Sequence, residues 1–243
     1  MKTFWICGQH SVNESIKNSK RKIFEVICKK NSSTENLCID RKIKYRYYQA
    51  KDENKILQNN LQIAHQNTFA NIQPFPNLDL KNIPESKKAN LIALENITDV
   101  RNIGSIIRTA LCFSIKGVIV EKKNFKSDSI EMYKSASGAL EHTAIYPVSN
   151  LNQALTDIKK RNYFIYGLDS NQGLEFDEKT ISKNGNVFVL GSEGFGLKEL
   201  TKKNCDFLIK INMSGHIGSL NVANACSAAL GIFNYIADKK KAR

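Results

Sequence analysis

Three short stretches carry residue types that packing alone does not call for. VLGSEGFGL (Val189 to Leu197) sets three glycines around one carboxylate, Glu193, directly after an apolar run. A glycine-rich turn bares its backbone for close contact with a ligand, and a carboxylate beside it opposes phosphate, so the turn suits a neutral or cationic small molecule. It is not the dinucleotide fingerprint GxGxxG, whose glycine order is reversed here. A tight turn with a solvated glutamate fits the same residues. The second stretch, NITDVRNIGSIIR (Asn96 to Arg108), places Asn102 near a helix start, where its amide can cap free N–H groups, and Arg108 within the helix. Arg108 lies close to the apolar face, either as a snorkelling surface arginine, which the periodicity favours, or as a guanidinium aimed at a site. The third, INMSGHIGSLNVAN (Ile211 to Asn224), brackets a helix start with Ser219 and Asn221. Either could serve as an N-cap. His216 has no second histidine near it, so no metal site is expected.

Each stretch lies where an apolar strand-like run gives way to a loop or helix, which is where open parallel sheets bind ligands. The runs are LIAL (91–94), GVIV (117–120), YFIYGL (163–168), VFVL (187–190) and FLIKI (207–211). Between them, apolar residues spaced by three and four mark helices at Ile103 to Leu111 and Leu151 to Ile158, and a last helix from about Leu220 to Ile236. That alternation predicts an α/β domain with a mostly parallel sheet.

The 243 residues carry a formal charge of +13, which favours a polyanionic partner, nucleic acid before a membrane surface. Residues 1–50 hold 11 Lys and Arg against 4 Asp and Glu, which sets a basic module apart at the N-terminus. There, IFEVIC (23–28) reads as a strand behind an amphipathic stretch at Val12 to Ile16, and RKIKYRYY (41–48) as a half-exposed strand. Its Arg41, Lys42, Lys44 and Arg46 could neutralise phosphates and its tyrosines stack on unpaired bases; a solvated strand with buried tyrosines fits equally. Pro74, Pro76 and Pro84 mark a linker over 73–88, giving a division into 1–72, 73–88 and 89–243. No apolar stretch is long enough to span a bilayer, the N-terminus lacks a signal-peptide core, and six scattered cysteines suggest neither disulfides nor zinc. A cytoplasmic protein is expected.

Taken in order, N-x-G-x-x-x-R at Asn102, Gly104 and Arg108, GSEG at 191–194 and SLNV at 219–222 resemble the three motifs of the SpoU (TrmH) class of RNA ribose 2′-O-methyltransferases, in the SPOUT superfamily. SASGALEHTAIYPVSNL (135–151), GQHSVNESIK (8–17) and AHQN (64–67) are similar to segments of its RlmB-type subgroup, which methylates a guanosine of large-subunit rRNA. The resemblance implies a methyltransferase domain with a deep trefoil knot, an L30e-like N-terminal RNA-binding domain using His65 and Gln66, and a homodimer. It implies S-adenosylmethionine as cofactor, wrapped by Leu190, Gly191, Ser192, Gly194, Ile211, Met213, Ser219 and Leu220. Asn102, Arg108, Glu193, Ser219 and Asn221 would form the catalytic set. The chain departs from the usual pattern at Val100, Asn212, Ala223 and Asn67, none a catalytic position. A tRNA methyltransferase, and a non-catalytic RNA-binding protein on the same scaffold, are the competing readings; retention of Arg108 and Glu193 argues against the latter.

Overall fold

The computed structural model describes residues 2–57, 62–75, 78–85, 89–170, 172–177, 181–182, 184–214 and 218–241. The chain forms two compact units, Met1–Pro76 with Lys126–His142, and Asn77–Phe125 with Thr143–Arg243. The first is thus not contiguous: residues 126–142, expected with the C-terminal part, belong to it.

The first unit runs β1 (Phe4–Cys7), α1 (Gln9–Lys17), β2 (Ile23–Cys28), α2 (Ser33–Asp40), β3 (Tyr45–Tyr47), α3 (Ala50–Leu57) and β4 (Phe69–Ile72). Its four-stranded sheet has the order β1-β4-β2-β3, with β4 antiparallel to β1 and β2 and β3 parallel to β2. Only Tyr45–Tyr47 of the basic stretch is strand. Arg41 caps α2 at its C-terminus, and Lys42 takes a left-handed φ of 55°.

The second unit begins with β5 (Leu91–Leu94), α4 (Val100–Cys112) and β6 (Gly117–Glu121). Next comes α5 (Ile130–Ala136), which with a 3₁₀ turn at Ala139–Glu141 returns to the first unit. A buried ion pair anchors that return: Arg21 Nη2 lies 2.7 Å from Glu141 Oε1, with both side chains 1% exposed. Ser15 and Asn18 donate to the same carboxylate, the Arg21 guanidinium lies 3.3 Å from the Phe75 ring centroid, and the Ser11 hydroxyl donates to the Tyr133 carbonyl. Phe75 therefore packs into the first unit although it was expected in the linker, and Ile83, also expected there, is buried in the second.

The second unit continues with β7 (Ala144–Val148), α6 (Leu151–Lys159), β8 (Phe164–Leu168), β9 (Asn186–Leu190), α7 (Glu199–Asn204), β10 (Phe207–Ile209) and α8 (Val222–Lys241). Its six strands are all parallel, in the order β10-β8-β9-β5-β6-β7. β5, β6 and β9 are buried at every position, which explains their apolar runs LIAL, GVIV and VFVL. One side of the core is an aromatic cluster in which Phe233 of α8 meets Tyr166, Phe176 and Phe188. α4 packs against α8, joined by a Thr109–Ser227 hydroxyl contact of 3.1 Å. Among the described residues, no helix is long and apolar enough to cross a membrane.

Candidate functional site

A cavity of about 360 Å³ opens at the carboxyl ends of β8, β9 and β10. Its wall includes all eight residues expected at the cofactor: Leu190, Gly191, Ser192, Gly194, Ile211, Met213, Ser219 and Leu220. They converge because β9 and β10 are both neighbours of β8, so the segments that follow them emerge at one end of the sheet. The glycine turn is closed by a hydrogen bond from Gly196 N to Ser192 O of 2.9 Å. Gly194 and Gly196 adopt φ of 87° and 65°, the left-handed region that side chains with a Cβ avoid. Gly191 is glycine for a different reason: a Cβ there would stand 2.2 Å from the Gly196 carbonyl carbon.

Glu193 lines the same cavity and ties the three chemistry-bearing stretches together. Its Oε1 accepts from Asn102 Nδ2 at 2.9 Å and from Asn221 Nδ2 at 2.7 Å, and Asn221 Nδ2 also lies 3.0 Å from Asn102 Oδ1. Asn221 spends its other end on α8, where its Oδ1 accepts from Ala223 N at 3.0 Å. It is therefore the N-cap of that helix, which starts at Val222 and not Leu220, and runs past Ile236 to Lys241. Asn102 does not cap α4; Asp99 does, accepting from Arg101 N, because its side chain precedes the first turn whereas Asn102 already lies inside it. That frees the Asn102 amide for Glu193. Arg108 is exposed on α4, away from the buried face of Ile103, Ile106, Ile107 and Ala110. Arg101, seven residues earlier, shares its side of the helix. Ser219 is exposed at the cavity wall, and His216 lies outside the described residues.

Sequence reasoning missed Asp169, Lys202 and Phe195, all of which line the cavity. Lys202 Nζ lies 2.8 Å from Asp169 Oδ2 and 3.1 Å from Glu199 Oε1. The Asp169 carboxylate, and then that of Glu199, hold the Lys202 amine above its ordinary pKa. Asp169 directly follows β8, and its place at a strand's carboxyl end was the available signal. Glu95, buried at the end of β5, accepts from Lys198 N at 2.8 Å and from the Thr201 hydroxyl, which fixes the exit of the glycine turn onto α7. Asn212, at a position that departs from the family pattern, donates to Glu175 at 2.6 Å.

In the first unit, Arg41, Lys42 and Lys44 are exposed. Arg46 is engaged by the Asp52 carboxylate at 2.7 Å and by Glu25 at 2.9 Å, which fastens β3 to α3 and to β2. Tyr45 and Tyr47 donate their hydroxyls to Glu35. His65 stacks on Phe69 with ring centroids 4.9 Å apart, and the Gln66 side chain accepts from Gln9 N at the start of α1. The structure thus places Arg41, Lys42 and Lys44 at the surface and gives Arg46 and Gln66 internal partners. Among the described residues no cluster of His, Cys, Asp and Glu could hold a metal ion.

Residues 89–231 match the family model described as the SpoU rRNA Methylase family. A protein of Staphylococcus haemolyticus named for the TrmH family of tRNA/rRNA methyltransferases is 29% identical over 234 residues, 93% of each chain. One of the same name from Staphylococcus saprophyticus is 33% identical over 184 residues, 72% of this chain and 74% of the relative. In fold, the chain is similar to the SpoU methyltransferase AviRb from Streptomyces viridochromogenes in complex with AdoMet, with a TM-score of 0.78 at 22% identity over 98% of this chain and 90% of the other. A family model that spans more than half of the sequence and contains all three motifs makes this chain a member of the SpoU rRNA methylase family.

Proposed function

We propose that this protein methylates a ribose 2′-hydroxyl in RNA at the expense of S-adenosylmethionine, with a guanosine of large-subunit rRNA as the target. The observation that carries the reading is the Asn102–Glu193–Asn221 hydrogen-bonded set, drawn from all three motifs to the rim of one cavity. The cavity fits the cofactor. Asp169 and Glu193 against Lys202 leave it one negative charge in excess, which suits a sulfonium cation and not a phosphate. Its size lies within the range of small-molecule sites. Leu190, Gly191, Ser192, Gly194, Ile211, Met213, Ser219 and Leu220 would hold the cofactor, which supplies a methyl group already activated on sulfur.

The chain's own part is to bind and orient. Glu193, held by two amides, is fixed before any ligand arrives, and Asn102 and Asn221 are fixed with it. Positioning of this kind is a large source of acceleration when the donor is already reactive. Arg108 serves the acceptor: a guanidinium has a pKa above about 12 and is a poor base, so it binds a phosphate or the developing alkoxide. Arg101 extends the same exposed face. In the first unit, which we read as an L30e-like RNA-binding domain, Arg41, Lys42 and Lys44 supply further phosphate contacts. The second unit is read as a knotted methyltransferase domain. A homodimer is also proposed, on the exposed apolar side chains Leu111 of α4 and Ile232 and Tyr235 of α8.

The test is incubation with methyl-labelled S-adenosylmethionine and separate pools of unmodified large-subunit rRNA and tRNA, followed by nucleoside mass spectrometry. The expected product is 2′-O-methylguanosine in the rRNA pool; label confined to tRNA would move the substrate, and base-methylated product would overturn the 2′-O assignment. In Gly191→Ala the added Cβ would force the Gly196 backbone away. Affinity for S-adenosylmethionine by calorimetry is expected to fall at least about tenfold, a turn displacement of this kind removing several backbone hydrogen bonds of about 1 kcal/mol each.

A further inference from the structure

Phe195 is 92% exposed, the most exposed large apolar side chain described. It stands at the tip of the glycine turn, between Gly194 and Gly196, both in left-handed conformations that leave open space where a Cβ would stand. The hydrogen bond from Gly196 N to Ser192 O closes the turn beneath it, and Glu95 fixes the turn's exit. The ring is therefore held out by an ordered backbone and flanked on both sides by bare glycine, which leaves its faces open. It also lines the cavity, two residues from Glu193.

A phenyl ring held open at the mouth of a site offers a whole face to a planar group. A second copy of this chain is a poor occupant. Among the ring's exposed sequence neighbours only Leu200 is a large apolar side chain, and Glu193, Gly194, Gly196, Lys198 and Glu199 are charged or bare, whereas a stable interface buries about 800 Å² per partner around an apolar centre. A nucleobase fits better. It is flat, needs only one ring face, and arrives with the polyanionic backbone that a charge of +13 attracts. An acceptor ribose brought to this cavity carries its base, and its neighbours' bases, within reach of the rim.

We infer that Phe195 is a stacking platform for an unpaired base of the substrate RNA at or beside the methylated nucleotide. The inference rests on the proposed function, since it takes the cavity rim as the place where the acceptor ribose docks. Stacking is tolerant of base identity, so the residue sets how firmly the acceptor is held rather than which base is chosen.

The experiment compares the full-length protein with Phe195→Ala, Phe195→Leu, Phe195→Trp and, as a control on another exposed apolar residue, Leu200→Ala. Filter binding to unmodified large-subunit rRNA transcribed in vitro, methyl incorporation, calorimetry with S-adenosylmethionine and the solution mass are measured for each. The expected result is RNA binding weakened about 5- to 150-fold in the alanine variant, the range for one lost stacked base. Leucine should fail to restore it and tryptophan should succeed, with solution mass and the Leu200→Ala control unchanged; a loss of cofactor affinity as large as the loss of RNA affinity would overturn the inference by assigning the ring to the cofactor. RNA affinity unaltered in Phe195→Ala, rescue by leucine, or a fall in solution mass would overturn the inference, the last pointing to a second copy as occupant. A wild-type protein that binds rRNA without methylating it sinks the proposed reaction, while the binding series still decides the role of Phe195.

Discussion

Replacement of Arg21 by methionine is expected to destabilise the first unit by about 3–5 kcal/mol, the usual cost of leaving a buried charge without its partner. The stranded group is Glu141, whose side chain is 1% exposed and whose remaining donors, Ser15 and Asn18, are neutral. The packing of Phe75 against the guanidinium would be lost as well. Trp5, the single tryptophan, lies on β1 of this unit, so its fluorescence during denaturant unfolding reports the loss directly. The double replacement Arg21→Met with Glu141→Leu is expected to recover most of the stability, because apolar residues can substitute for a buried pair once both charges are gone. A single variant as stable as the wild type would show that water reaches Glu141.

The second large effect is on turnover. Arg108→Ala is expected to lower kcat by about 10²–10³-fold, the range for removal of one group that stabilises charge in a transition state. Affinity for S-adenosylmethionine should stay within about twofold, since Arg108 is not among the cavity-lining residues. Arg108→Lys should remain slow, because a point charge does not reproduce the planar fork of a guanidinium. Single-turnover methylation of rRNA together with calorimetry separates the two quantities; a loss of cofactor affinity as large as the loss of rate would assign Arg108 to the cofactor.

The second unit's central strands were legible because burial on both faces writes them as unbroken apolar runs: β5 falls on LIAL, and β6 and β9 each extend the expected run by one residue. β7 was not. It is an edge strand, half-buried at Ala144, Ile145 and Pro147 and buried at Tyr146 and Val148, so no clean period of two appears, and Pro147 argues against a strand. α2 was equally silent, since its buried residues include Thr34 and Glu35, and Glu35 is placed by hydrogen bonds from Tyr45, Tyr47 and Asn31 that no period encodes. In the site, the helix period set Arg108 close to the apolar face as a snorkelling surface arginine; it is exposed, but on the side away from that face, and what the period could not show is that Asn102, Glu193 and Asn221 meet. That needs the sheet order, which brings residues 91 and 119 positions apart in sequence within hydrogen-bonding distance.

The return of residues 126–142 to the first unit has a consequence for the order in which the protein can be made. Vectorial synthesis delivers β1 to β4 first, yet the partners of Ser11, Ser15 and Arg21, namely Tyr133 and Glu141, leave the ribosome only after β5, α4 and β6. At about 5–20 residues per second, that wait lasts on the order of several seconds. During it the Arg21 guanidinium lacks its counter-ion and the nascent first unit must persist incomplete. The two units are therefore not beads finished one after the other on a string; the earlier one closes only when the later one is already partly laid down.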